Sequence, residues 1–221
     1  MNEQRLFAFL KRQSPSALLD LLQHAYREMS VPQRQAVFHA MVKDIPPSAV
    51  DGTELLKRLT QFHRDSLARQ YYAPFEINSK NYTHIPDETE EWFEILGDLL
   101  EDSRKLTEQE EHALAVECFG LLYELIDHME KGEEIVFADE LGSWMIPGDE
   151  KKFIAAYLSS LAVVASPESF TTTALPLLKR DSTYGFSCQV YATAVRVANK
   201  EQLAQLKAEI KRQNVRTTST R

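Results

Sequence analysis

The chain has 221 residues, 43% of them hydrophobic and 26% charged, which excludes global disorder and leaves enough surface to bury a core without disulfide staples. No apolar run approaches the roughly 18 residues that a spanning helix needs, so no membrane segment is expected. The net charge of −8 is partitioned: residues 87–150 hold 21 Asp or Glu and 3 Lys or Arg, a net of −18, while residues 1–86 carry +3 and residues 151–221 carry +7.

Helical periodicity dominates the pattern, and only 7 glycines interrupt it. A short first helix is expected over residues 2–12. Ser14-Pro15 supplies an N-cap and a proline at the first helical position, opening a second helix to about Met29. Its Leu18, Leu21, Leu22, Ala25 and Tyr26 share one face. Ser30 with Gln33 resembles a capping box for a third helix, which Asp44-Ile45-Pro46-Pro47 stops near Lys43. A fourth helix is expected from about Thr53 to Gln70, with Leu55, Leu56, Leu59 and Phe62 inward. Residues 71–86 resist helix, yet Tyr71, Tyr72, Phe75 and Tyr82 predict a loop packed on the body.

A fifth helix is read over about 88–103, with Trp92, Ile95, Leu96, Leu99 and Leu100 on one side. Thr107 with Glu110 reads as a capping box for a sixth helix to about Met129. From Cys118 to Met129 that helix is apolar almost all round, which predicts a central, buried element. Phe153–Val164 reads the same way. Ser166-Pro167 starts a helix to about Leu178, Tyr184–Ala198 is the next, and Asn199 caps a last helix with a narrow Leu203, Leu206, Ile210 stripe. Residues 217–221 read as a frayed tail.

The sum is a single all-α domain over residues 1–216, of about ten helices in antiparallel pairs. This helix-pair pattern resembles HEAT-like α-solenoids, which implies a stacked helical array. No repeat of fixed period accompanies it, so an irregular helical bundle is the alternative.

Residues 130–148 differ from their surroundings and hold three of the seven glycines. Ile135-Val136-Phe137 is β-prone, and Trp144-Met145-Ile146 is its candidate partner across a turn at Gly142. A short β-hairpin or an ordered loop is therefore expected near 132–147. As a binding element it would present Trp144, Phe137, Asp139 and Glu140 to a partner, beside Glu90, Glu91 and Glu94 of the fifth helix. Alternatively Phe137, Leu141 and Trp144 fold down over the central helices. A third reading makes Glu133, Glu134, Asp139 and Glu140 oxygen ligands of a divalent cation, although their spacing fits no EF-hand loop.

No catalytic constellation stands out. Glu124, Asp127 and His128 lie within one helical turn, but the Glu-x-x-His spacing of a di-iron bundle and its second copy are missing. There is no glycine-rich phosphate loop and no G-x-S-x-G. Cys118 and Cys188 are isolated in apolar segments, so they read as buried hydrophobes rather than a disulfide or zinc pair. Residues 196–221 carry a net of +5 without interleaved aromatics, a pattern that suits a soluble end cap better than nucleic-acid binding.

The expectation is a cytoplasmic, non-enzymatic adaptor or regulatory protein that needs no metal or cofactor and meets a protein partner with a basic surface. Two alternatives remain: a metal-dependent or other enzyme with its site near the end of the 108–129 helix, and a nucleic-acid-associated protein using the basic C-terminal helix.

Overall fold

The computed structural model describes residues 3–29, 33, 37, 49–79, 81, 84–138, 142, 144–180 and 184–215. Among them every regular element is a helix, and the fold is all-α. No described helix is long and apolar enough to cross a membrane. The chain divides into two compact units, Met1–Ser48 and Ala49–Arg221.

The first unit contains α1 (Glu3–Leu10) and α2 (Pro15–Glu28). Ser14 caps α2 as its sequence demands, its side chain accepting a hydrogen bond from the Ala17 amide at 3.2 Å. On the expected apolar face Leu18 and Ala25 are half-buried, whereas Leu21, Leu22 and Tyr26 are exposed. The third expected helix lies outside the described residues, apart from Gln33 and Val37, which are helical.

The second unit contains α3 (Gly52–Leu67), α4 (Asp87–Glu108), α5 (His112–Glu130), α6 (Glu150–Val164), α7 (Pro167–Lys179), α8 (Tyr184–Val197) and α9 (Lys200–Arg212). Helix α5 is its centre and packs against α3, α4 and α6. Ala115, Cys118, Phe119, Leu122, Tyr123, Leu125, Ile126 and Met129 are all buried, so α5 turns most of its circumference inward. Further along, α6 packs on α8, and α7 packs on both α8 and α9.

Two polar contacts inside the core are satisfied locally. Trp92, fully buried, donates its indole N–H to Ser66 Oγ at 2.9 Å, and that hydroxyl donates to the Phe62 carbonyl at 2.8 Å. Gln202, also fully buried, completes a capping box with Asn199 at the start of α9. Its side-chain amide also donates to the carbonyls of Ala162 (3.2 Å) and Ala165 (2.9 Å), at the end of α6. One side chain thus satisfies orphan groups at two helix ends.

The junction between α4 and α5 differs from the expectation. Thr107 is no N-cap: it lies in the last turn of α4, and its hydroxyl meets Ser160 Oγ at 2.8 Å. The chain reverses over residues 109–111 with Glu110 in the left-handed region at φ 64°. A glutamate in that conformation is uncommon, which is why the pattern pointed to the wrong boundary. The Gln109 amide ties this turn to Val50 through both its backbone groups.

The hairpin alternative near 132–147 is not formed among the described residues. Val136 makes an isolated parallel bridge with Tyr71, and Trp144 and Met145 sit in a 3₁₀ turn. Tyr71, in the extended stretch after α3, supplies the bridge partner of Val136.

Replacing Gln202 by Ala should lower stability by about 1–3 kcal/mol, because buried carbonyls of α6 lose their donor. Urea unfolding should show a lower midpoint at unchanged slope. An unchanged midpoint would mean that the amide contributes nothing net.

Candidate functional site

The segment between α5 and α6 is held down at both ends. Thr89 on α4 donates its hydroxyl to the Phe137 carbonyl at 2.9 Å. The Phe137 ring packs edge-on against Phe75 and Tyr72, with centroids 5.3 and 6.2 Å away. Of the four aromatics expected to pack, Tyr72 and Phe75 meet Phe137 and Tyr71 meets Phe62, while Tyr82 lies outside the described residues. Toward α6, Pro147 lies against Gly97, where an added Cβ would come within 2.8 Å of the proline ring. Gly148, at φ 95°, then turns the chain beneath the Phe153 ring.

Between these anchors Trp144 is 93% exposed. Only Met145 and Ile146 separate it from Pro147, a reach of at most about 11 Å. Gly97 and Thr89 mark the side of α4 on which the loop rests. At 100° per residue, Glu90, Glu94, Asp98 and Glu91 follow on the adjoining face. Trp144 thus lies within that reach of Pro147, which rests on α4 at Gly97. Of the residues singled out from sequence, Trp144, Glu90, Glu91 and Glu94 are exposed, and Phe137 is half-buried. Asp139, Glu140 and Leu141 lie outside the described residues.

Ion pairs reveal which part of the acidic belt keeps its charge. In the second half of α4, Arg104 pairs with both Glu101 (2.6 Å) and Glu108, while Asp102 meets Lys105 at 2.9 Å and Arg58 at 3.6 Å. Beyond α5, Glu134 pairs with Arg69 at 2.5 Å. Arg180, its side chain 7% exposed, gathers Asp127 (2.5 Å), Glu130 (2.6 Å) and Glu150 (3.3 Å). No described cation pairs with Asp87, Glu88, Glu90 or Glu91. The first three sit in the opening turn of α4, where the helix dipole favours them.

The like charges act on each other. Asp98 has its carboxyl pushed above the usual range, by desolvation first and then by Asp102 and Glu94, against the opposing pull of Arg58 and Lys105. Burial raises the Tyr71 hydroxyl, and Glu91 adds to it. The charge along the exposed face of α4 is only partly neutralised.

At the end of α5 the polar groups are tied to one another. His128 Nδ1 lies 2.6 Å from Glu133 Oε2, and its Nε2 lies 3.8 Å from Glu124. His63 Nε2 approaches Glu124 at 3.3 Å, out of line for a hydrogen bond. Among the described residues no group of three His, Cys, Asp or Glu is placed to hold a metal ion. Cys118 is buried, and desolvation pushes its thiol up to about 11, so it stays protonated at neutral pH. The side chain of Cys188 lies outside the described residues.

The basic C-terminal helix is a packed element. Gln202, Leu206 and Ile210 of α9 are buried, Arg212 pairs with Glu209 at 2.5 Å, and Lys179 of α7 reaches Gln213 at 2.5 Å. Arg216 and Arg221 lie outside the described residues. Comparison with known families, curated proteins and solved structures finds no match to this chain.

Asp98→Asn should stabilise the protein at pH 7. A carboxyl whose folded pKa is raised penalises the folded state above that pKa, and the penalty is absent below its ordinary value. The advantage of the variant should therefore shrink as pH falls from 7 toward 4 in denaturation series. An advantage that grows with acidity would contradict this account of the α4 surface.

Proposed function

We propose that this chain is a non-enzymatic interaction protein, an adaptor or regulatory partner, that docks a basic protein segment on the first half of α4 with Trp144 as the apolar anchor. The observation that carries this reading is the exposure of Trp144, 93%, on a loop pinned on either side of it. A large aromatic left in water beside an anchored backbone is pre-organised for burial by a partner. Glu90 and Glu91, without a described counter-ion, supply an attractive field for lysine and arginine side chains. A cytoplasmic address and a HEAT-like stacking of helix pairs accord with this reading.

The enzyme alternative is less well supported. Asp127 and Glu130 are spent on Arg180, and Glu133 on His128, so catalysis there would have to disrupt contacts that join helix ends. The nucleic-acid alternative has to use a helix whose inner face is packed.

The two tryptophans provide the test. Trp92 is buried and Trp144 is exposed, so a change in emission on binding reports on Trp144. Titration with Lys/Arg-rich peptides should shift that emission toward the blue, more strongly at low salt, whereas acidic peptides of matched length should not. Trp144→Ala should weaken binding by about 30-fold, corresponding to a hot spot of about 2 kcal/mol. The same substitution should move stability by less than about 0.5 kcal/mol. Reversing Glu90, Glu91 and Glu94 to Lys should slow association and flatten the salt dependence. Failure of every basic peptide to perturb Trp144 would remove the basis of the proposal.

A further inference from the structure

The segment that carries Trp144 runs between two helix ends, and one side chain holds both. Helix α5 ends at Glu130, and α6 begins at Glu150. Arg180, the C-cap of α7, donates to each of them: its Nη2 lies 2.6 Å from Glu130 Oε1 and its Nε 3.3 Å from Glu150 Oε1. The third nitrogen, Nη1, meets Asp127 Oδ1 at 2.5 Å, one turn back in α5. Each guanidinium nitrogen thus serves a different carboxylate, a use of the planar fork that a lysine ammonium cannot reproduce. The guanidinium carbon also stands 5.3 Å from the centre of the Tyr123 ring, and the side chain is 7% exposed.

The last turn of α5 needs this cation. Asp127 and Glu130 sit there, where the negative end of the helix dipole disfavours them. Desolvation raises the Glu130 carboxyl, Arg180 opposes that, and Asp127 and Glu150 push it further up.

The same turn supports the start of the loop. Lys131 donates its amide to the Asp127 carbonyl at 3.1 Å, and Gly132 and Glu133 donate theirs to Met129 and His128, both at 3.0 Å. The buried Ile135 and Val136 follow directly. On the other side, Asp149 caps α6 by accepting from the Lys151 amide at 3.1 Å, one residue before Glu150. Five residues separate Trp144 from Glu150. The ion-pair cluster and the hydrogen bonds that anchor the loop therefore use the same two helix turns.

We propose, resting on the interaction reading of the Trp144 surface, that Arg180 is a positioning residue for the Trp144 loop: by joining the end of α5 to the start of α6 it orders the loop before a partner arrives. Arg180 need not touch the partner, because it acts through those two turns. A loop ordered in advance loses less freedom on binding, so the effect falls on dissociation. The carboxylates that would steer a basic partner toward α4 are untouched, so association should be preserved.

The test uses the full chain with Arg180→Lys, which keeps the charge and loses the fork. Hydrogen exchange of the free chain should rise at least tenfold at Lys131, Gly132 and Glu133, and stay within twofold at Leu122–Ile126 and in α9. Stopped-flow mixing with a Lys/Arg-rich peptide, followed by Trp144 emission, should show dissociation at least fivefold faster and association within twofold of the unsubstituted chain. A uniform rise in exchange across the second unit would reduce Arg180 to general stability and overturn the proposal. Unchanged exchange at Lys131–Glu133, or an unchanged dissociation rate, would also overturn it. If Arg180→Lys does not fold, Glu150→Gln removes one arm of the cluster at a partly exposed carboxylate. That variant should speed exchange at Lys151, Lys152 and Phe153 at least threefold and peptide dissociation at least twofold, and failure of either would overturn the proposal. Absence of peptide binding by the unsubstituted chain would count against the interaction reading, while exchange at Lys131–Glu133 would still decide whether Arg180 orders the loop.

Discussion

Helix α5 is apolar on too many sides to be covered by a single neighbour. Eight of its side chains are buried, and α3, α4 and α6 surround it. Burying that much apolar surface is the dominant favourable term in a domain of this size. The rest of the second unit follows from it. Between Glu130 and Glu150 the segment adds Ile135, Val136 and Ala138 to the core, and Met145 and Ile146 pack against it. Its described ends rest on α4, at Thr89 on one side and through Pro147 against Gly97 on the other. Trp92, Phe93 and Phe62 pack on one another in the interior, whereas Trp144 stays exposed.

The same arrangement sorts the acidic charge. Carboxylates near the ends of α5 and α6 are drawn together where those helices meet α7, and Arg180 holds three of them. Its near-burial makes this a structural clamp, since removing the cation would leave poorly solvated like charges in proximity. Glu130, half-shielded among them, keeps a raised carboxyl pKa from desolvation even beside that arginine. Along α4 the i,i+3 and i,i+4 pairs of Arg104 and Lys105 neutralise only the second half. In the first half no described cation pairs with Asp87, Glu88, Glu90 or Glu91. A belt that reads as uniform in sequence therefore includes carboxylates engaged in holding helices together and, at Asp87, Glu88, Glu90 and Glu91, carboxylates with no described counter-ion.

Sequence signals with a local physical cause transferred well. Ser14-Pro15, Ser166-Pro167 and Asn199 all cap helices through side-chain oxygens, because a cap is decided by residues within one turn of it. The central position of α5 was legible for a similar reason: apolar residues on most sides leave only a narrow solvated stripe at Ala113, Glu117 and Glu124. The Thr107 boundary failed because Glu110 takes a left-handed backbone that its side chain gives no hint of. The loop partner of Val136 failed because Tyr71 lies 65 positions away, and no local pattern specifies a long-range bridge. The grouping around Arg180 was not legible for a related reason. In sequence it is one cation near a helix end, and only the packing of three helices brings Asp127, Glu130 and Glu150 onto it.

Trp144 and the α4 acids would contribute to recognition in different ways. Full burial of a tryptophan removes about 200 Å² from water, on the order of 5 kcal/mol at about 25 cal/mol per Å². Ordering the side chain and its surroundings offsets part of that, about 1 kcal/mol. The remainder is large enough to determine how long a complex lasts. Exposed carboxylates are each worth much less, since water and salt screen them. Their effect is on the approach: a one-sign field extending about 10 Å at moderate salt raises the rate at which basic partners arrive. Under the proposed function, the surface would separate capture from retention, with the helix face performing the first and a single aromatic on an anchored loop the second.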